Sequence, residues 1–146
     1  MKTIIKLSLL LIAISFASCE KSVYDMYYFN NLTGEDITIY TPLYVDGGYI
    51  PKDAQMMDVL YLGFVTSDGK NKINKHREPS EVLCGNRGAI YVTFFYKGKY
   101  YRESSFKDNS ILVKSAWRTE MDTEQLDNYV FDITEEYILS LPESDR

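Results

Sequence analysis

The segment "AIYVTFFYKGKYYRESSF", residues 89–106, constrains the fold of this chain more than any other stretch. Two runs of aromatic and β-branched residues flank Lys97-Gly98-Lys99, and Gly98 can adopt the positive φ that a tight turn requires. The sequence therefore predicts a β-hairpin. Because side chains alternate along a strand, one set should face the core and the other should face away from it. The predicted inward set is Ile90, Val92 and Phe94, and the predicted outward set is Tyr91, Thr93 and Phe95.

The outward-facing aromatic residues of this hairpin are the candidate binding surface. The second strand adds Tyr100 or Tyr101 to it, depending on the register. Tyrosine presents a rigid apolar ring with a polar tip, so an uncovered set of such rings would suit recognition. The 13 tyrosines of the chain also have a simpler explanation, since Tyr favours strands. The candidate binding residues are Tyr91, Phe95, Tyr100 and Tyr101.

Other short β-rich runs, separated by turn residues, extend along the rest of the chain. Residues 24–30 and 37–44 flank a Gly-centred turn and predict a second hairpin. Further strands are predicted at 55–65, 110–118 and 129–133. This spacing is typical of an all-β fold, mainly an antiparallel β-sandwich or a partly open barrel.

The C-terminal segment "TEEYILSLP" predicts one short helix. Thr134 is a favourable N-cap, and Glu135 and Glu136 lie in the first turn, where the helix dipole favours acids. Pro142 marks the end of the helix. Ile138 is expected to pack onto the sheet.

The N-terminus has the pattern of a secretory signal peptide. Lys2 and Lys6 precede an apolar run from 7 to 17, and small residues lead to Cys19. This run is about half the roughly 20 apolar residues that a membrane-spanning helix needs. Export is therefore favoured over a retained transmembrane anchor.

The residues Phe16-Ala17-Ser18-Cys19 resemble the lipobox of bacterial lipoproteins. The resemblance implies that residues 1–18 are removed, that the Cys19 thiol receives a diacylglyceryl group, and that the new amino terminus is acylated, for example with palmitate. It divides the chain into a signal peptide at 1–18, a lipidated tether at 19–23 and a single β-rich domain at 24–146. With its small Tyr-rich body, the chain resembles small lipoproteins of Gram-negative anaerobes. This implies an outer-membrane location, with the leaflet open.

The second cysteine, Cys84, leaves one alternative for Cys19. Two cysteines in an exported chain could form a disulfide. A bridge at Cys19 would, however, tether only a frayed terminus, so lipidation is favoured. Cys84 is then predicted to be a small buried apolar residue, because neither His nor Cys lies nearby in sequence to activate it.

The charge balance excludes some classes of partner. The chain carries a formal charge of −5, and removing the leader would take away two lysines and no acid. An acidic chain is unsuited to nucleic acid, whose phosphates require neutralisation. The lipid at Cys19 is therefore the expected membrane contact, and a glycan or a protein is the expected partner.

Few residues offer catalytic or metal chemistry. His76 is the one histidine, so no ordinary zinc site and no cofactor are expected. A hydrolase would need a pair of carboxylates whose separation the sequence does not reveal. The carboxylates considered are Glu103, Asp132, Glu135 and Glu136. A non-catalytic binding or assembly module is the favoured hypothesis.

A polar stretch from 66 to 81 supplies the alternative. It concentrates basic residues in an otherwise acidic chain. A loop of this length is either functional or mobile. The stretch is therefore either a solvated loop or the contact surface of an inhibitor or immunity-type protein. The residues of this alternative partner loop, 70–77, include Lys72, Lys75, His76 and Arg77.

Overall fold

The computed structural model describes residues 24–58, 73–74, 78–85, 88–123 and 126–146. They form mainly β-strands in two open sheets with two short helices, which confirms the all-β prediction. The strands are β1 (Tyr24–Asn31), β2 (Ile37–Tyr40), β3 (Gly48–Ile50), β4 (Met57–Asp58), β5 (Ile73–Asn74), β6 (Val92–Tyr96), β7 (Lys99–Glu103), β8 (Arg118–Thr123), β9 (Leu126–Ile133) and β10 (Glu143–Ser144). The helices are α1 (Pro79–Cys84) and α2 (Glu135–Ser140), and a 3₁₀ turn spans Lys114–Ala116.

The first sheet has the order β4-β1-β9-β8, with β5 also paired to β1. Its central strands β1 and β9 run parallel, from the pair Tyr24 and Leu126 to the pair Asn31 and Ile133. The other pairings of this sheet are antiparallel. β4 and β5 lie on the same edge of β1. β5 pairs with the start of β1, at Tyr24 and Asp25, and β4 pairs with its second half, at Tyr28 and Phe29.

The second sheet has the order β10-β7-β6-β2-β3 and is antiparallel throughout. It contains the predicted hairpin, whose turn residues Lys97 and Gly98 both have positive φ (48° and 79°). Two such residues match the right-handed twist of the flanking strands. Val92 and Phe94 are fully buried as predicted, whereas Ile90 precedes the strand and is 38% exposed. The inward prediction for Ile90 is therefore wrong.

The predicted hairpin of 24–30 with 37–44 is also wrong, because β1 and β2 belong to different sheets. The buried side chain of Asn31 fixes the crossing. Its Oδ1 accepts from Thr33 N at 3.0 Å, and its Nδ2 donates to the carbonyls of Glu35 and Pro51 at 2.8 and 2.9 Å. Asn31 therefore connects the end of β1 to the chain that leaves β3, in the opposite sheet.

The segment 110–117 is not the predicted strand. Ser110 Oγ accepts from Leu112 N at 3.1 Å, and the N–H groups of Val113 and Ala116 bond three residues back, so the chain runs through consecutive turns. Ile111 and Leu112 are both fully buried. In a strand they would point to opposite faces. The turns bring both into the core, and a strand starts only at Arg118.

Helix α2 joins the two sheets. Thr134 caps it as predicted, accepting from Tyr137 N at 3.1 Å, and Ile138 is fully buried. The Tyr137 ring meets Phe94 of the second sheet at 5.9 Å and Phe131 of the first at 5.1 Å. One continuous core results. Among the described residues, no helix has the length and apolar character that are needed to cross a bilayer.

Candidate functional site: the outer face of the second sheet

The candidate site is the face of the second sheet that points away from the core. Strand register determines its members. Phe95 lies between Thr38 and Tyr100, and Thr93 lies between Tyr40 and Arg102. We call this surface the outer aromatic face, and it comprises Thr38, Tyr40, Tyr91, Thr93, Phe95, Tyr100 and Arg102 together with Arg146, which packs on it from the C-terminal segment.

The aromatic rings of this face contact one another. Phe95 and Tyr100 lie 4.9 Å apart between centroids, and Tyr40 and Tyr100 lie 6.1 Å apart. All three are half-buried. Tyr49, next to Thr38 on β3, extends the row and is 56% exposed. The face is thus partly open to solvent.

The register also decides between the two tyrosines that the sequence left open. Tyr100 pairs with Phe95 and shares the outer face, whereas Tyr101 pairs with Phe94 and belongs to the core. Only 9% of Tyr101 is exposed. Its prediction as a binding residue is corrected accordingly, and Tyr91, Phe95 and Tyr100 remain.

Arg102 lies flat on this face. Its guanidinium carbon is 4.7 Å from the Tyr91 ring centroid, its Nε donates to Thr93 Oγ1 at 3.2 Å, and its Nη2 donates to the Asp145 carbonyl at 3.1 Å. Thr93 is consequently buried although it points outward. Three contacts hold the guanidinium in one orientation.

Arg146, from the C-terminal segment, stacks in the same way on Tyr40 of strand β2. Its guanidinium lies 4.6 Å from the Tyr40 ring centroid, and its Nη2 donates to the Val45 carbonyl at 2.8 Å. Within the described ranges, neither Arg102 nor Arg146 has a carboxylate at ion-pair distance. The sequence analysis did not single out either arginine. Alternation could have identified Arg102, two residues after Tyr100, but nothing local reveals the position of Arg146.

A surface cavity of about 200 Å³ opens between the two tyrosine–arginine pairs. Four of its six lining residues carry a hydroxyl group, although two of these, Thr41 and Thr93, are buried, and one arginine also lines it. Thr41 Oγ1 accepts a hydrogen bond from Tyr44 N at 3.2 Å, so the hydroxyl proton of Thr41 points away from that N–H group. The lining residues are Tyr40, Thr41, Val45, Tyr91, Thr93 and Arg146.

Three of the four carboxylates considered for acid–base chemistry have structural partners. Glu103 accepts from Ser105 N and Oγ, both at 2.7 Å, and Tyr137 OH lies 3.3 Å away. Asp132 accepts from Asn30 Nδ2 at 2.7 Å. The Lys97 ammonium, 2.6 Å from Glu135, lowers the pKa of that carboxyl. In the described part of the chain, no three His, Cys, Asp or Glu side chains come together as metal ligands.

Cys84 is a free, fully buried thiol at the end of α1, as predicted. Burial raises its pKa from 9.0 to about 11, and the thiol donates to the Tyr91 carbonyl at 3.3 Å. The thiol is therefore neutral at physiological pH, and a neutral thiol is a poor nucleophile.

Several predicted residues lie outside the described ranges. They are the lipidation residue Cys19 and, within the alternative partner loop, Lys72, Lys75, His76 and Arg77, whereas Ile73 and Asn74 of that loop form β5.

The chain is a two-sheet β protein. One surface of its second sheet presents aromatic rings and two arginines that have no carboxylate partner among the described residues. Comparison of the chain with family models, curated proteins and solved structures finds no match.

Proposed function

We propose that this chain is a lipoprotein, anchored through Cys19 in the outer membrane of a Gram-negative bacterium, that serves as a non-catalytic binding module. Its outer aromatic face contacts a glycan or a protein. The observation that carries the binding proposal is the stacking of two arginines on half-buried tyrosine rings of one face, the arginines having no carboxylate partner among the described residues.

The residue types of this face are those that concentrate binding free energy. Tyr and Arg are enriched at binding surfaces and among the residues whose truncation weakens binding most. The rings need little further ordering on binding, because contacts with neighbouring rings and guanidinium groups already restrict them. Interaction surfaces with restricted side chains lose less entropy when a partner binds.

The first test removes two rings of the face. Tyr91→Ala with Tyr100→Ala should weaken binding by at least about tenfold, because truncated anchor residues typically lose 2 kcal/mol or more. Binding is measured with the detergent-solubilised full chain on a glycan array and by capture from envelope extract. Phe106→Ala is the matched control, since this ring is 58% exposed and lies off the face.

The melting temperatures of these variants separate binding from stability. Because the two rings are half-buried, we expect the double variant to melt within roughly 5 °C of the wild type. Unchanged affinity for every captured partner in a folded double variant would contradict the binding proposal.

The second test concerns the anchor. The lipobox resemblance supports it, and each buried methylene of an acyl chain contributes about 0.8 kcal/mol to membrane binding. Cys19→Ser should abolish palmitate labelling and move the protein from the membrane to the soluble fraction. Cys84→Ala is the matched control, because it removes the other thiol and should leave labelling intact. Continued membrane association of Cys19→Ser would favour a transmembrane anchor instead.

A further inference from the structure

We infer that the cavity between Tyr40 and Tyr91 binds a carboxylate-bearing sugar residue, with Arg102 and Arg146 donating to the carboxylate. This inference rests on the proposed function and names the class of ligand for the same face. It follows from the charge, the lining and the strand positions around the cavity.

The charge of the two arginines indicates an anionic ligand. The chain has a net charge of −5, yet these two guanidinium groups have no carboxylate partner among the described residues. Arg146 lines the cavity, and Arg102, which is not a lining residue, contacts Tyr91 and Thr93, which are. A guanidinium carries five N–H donors in a planar fork that matches a carboxylate. Among the described residues, no hydrogen bond involves Nη1 of Arg102 or of Arg146, so both atoms can make such a contact.

The orientation of the arginines is set before any ligand arrives. Each guanidinium stacks on a tyrosine ring and donates to a backbone carbonyl, Asp145 for Arg102 and Val45 for Arg146. Long side chains normally lose rotamer freedom when they bind. Here the fold already restricts them, which favours binding of a small anion.

The lining indicates a sugar. Four of the lining residues carry a hydroxyl group, which can both donate and accept; Thr41 and Thr93 are only 1% exposed, so the half-buried Tyr40 and Tyr91 are the hydroxyl-bearing residues with exposed surface. Two tyrosines beside a guanidinium complement a ligand that carries both hydroxyl groups and a carboxylate. The volume, about 200 Å³, is below the ~300–1,000 Å³ typical of pockets for drug-sized ligands. It suits a single sugar residue of a longer chain.

Strand positions argue against an acidic peptide as the ligand. Peptides commonly bind sheets by pairing with an exposed edge strand. The cavity lies where β2 ends beside β6, at Tyr40 and Thr93, which pair with each other; Thr93 also pairs with Arg102 on its other side. The backbone groups of Thr93 are therefore already used within the sheet. A glycan needs side-chain contacts alone and can bind at this interior position.

The test compares an acid with its matched neutral form. The probes are a short oligogalacturonate and the same oligomer with its carboxyl groups methyl-esterified, titrated calorimetrically against the detergent-solubilised full chain. We expect the acid to bind at least about tenfold more tightly than the ester. Its affinity should also fall with added salt, because partly exposed charges are screened. A polyglutamate peptide represents the alternative class and should bind more weakly than the acid.

Variants assign the effect to the two arginines. Arg102→Gln and Arg146→Gln should each weaken oligogalacturonate binding by at least about tenfold, and Arg146→Lys should weaken it less, because the charge remains while the fork is lost. Arg118→Gln is the matched control, since Arg118 is ion-paired to Glu120 and Asp132 on the first sheet. Melting temperatures identify any variant that is unfolded, and the acid–ester comparison uses only the wild type.

Three results would overturn the inference: no binding of the acid, equal binding of acid and ester, or tighter binding of polyglutamate. The broader proposal survives each of these results if the double variant Tyr91→Ala with Tyr100→Ala fails to bind a partner that the wild type captures. The broader proposal fails separately when that double variant retains every partner.

Discussion

Replacing Trp117 by Ala is expected to lower the free energy of unfolding by about 3–5 kcal/mol, the usual cost of truncating a large buried aromatic residue. The indole is 4% exposed. Its ring lies 5.1 Å from Tyr27, 5.5 Å from Phe29 and 5.3 Å from Phe131. Its Nε1 also donates to the Ile111 carbonyl at 2.9 Å. The substitution therefore opens a cavity and leaves a buried acceptor without its donor.

Urea unfolding followed by far-ultraviolet circular dichroism measures this loss. Trp117 is the sole tryptophan, so fluorescence reports only on the wild type. Phe106→Ala is the control, and with its ring 58% exposed it should change the free energy of unfolding by less than about 0.5 kcal/mol. A Trp117→Ala loss no larger than that of the control would show that the indole is not a core residue.

Removing the ammonium of Lys114 should destabilise the protein nearly as much. Lys114 Nζ lies 2.8 Å from Asp25 Oδ2, whose side chain is 1% exposed, and 4.3 Å from the centroid of the Tyr129 ring. Deleting one partner of a buried ion pair typically costs 3–5 kcal/mol, because the other charge stays buried without it. Lys114→Met is expected to lose somewhat less free energy of unfolding, about 2–3 kcal/mol, because the Lys114 side chain is 26% exposed and Asp25 keeps a further contact.

An exposed ion pair provides the control. Lys99 lies 2.9 Å from Glu143, and both side chains are more than half exposed. Lys99→Met should therefore destabilise the protein far less than Lys114→Met. Adding Asp25→Asn to Lys114→Met should recover part of the loss, since the buried charge is then gone. Equal losses for Lys114→Met and Lys99→Met would contradict the buried-pair account.

The contribution of Lys114 should not change between pH 6 and 9. Burial acts to lower the pKa of Lys114, but its hydrogen bond with Asp25 and the neighbouring tyrosines outweigh burial and raise it above 10.5. A raised pKa in a base contributes stability that is fully present below the unfolded value and is lost only as the pH rises through the folded value. The difference between wild type and Lys114→Met is therefore expected to be constant across this range.

Features of the fold that depend on neighbouring residues were predictable from sequence. The turn at Lys97 and Gly98 determines the hairpin, and Thr134 determines the start of the last helix; both act within a few residues. The alternation of β6 gave the buried positions of Val92 and Phe94 for the same reason.

Features set by distant contacts were not predictable. The turn after β1 has ordinary turn residues, and only the bonds from Asn31 to the end of β3 reveal that the chain changes sheets. The apolar run at 110–117 has the composition of a strand, but the Ser110 hydroxyl bonds to the backbone instead and bends it. Hydroxyl-to-backbone bonds of this kind compete with regular structure, and sequence alone does not decide the competition.

Some residues of the candidate site were predictable from the sequence, and others were not. Alternation placed Tyr91 and Phe95 outward, but choosing Tyr100 over Tyr101 required the register of β6 and β7. Arg146 is 106 residues from Tyr40 in sequence and reaches it only because β10 pairs with β7. No local pattern could have indicated that contact.

The parallel pairing of β1 with β9 sets the order of events during folding. Its partners are 102 residues apart, as for Asn30 and Asp132, so the central pair of the first sheet closes a long loop when it forms. Folds dominated by such distant pairings take milliseconds to seconds, far longer than helical bundles. We therefore expect the two central strands of the first sheet to pair late in folding, after the local hairpin of β6 and β7.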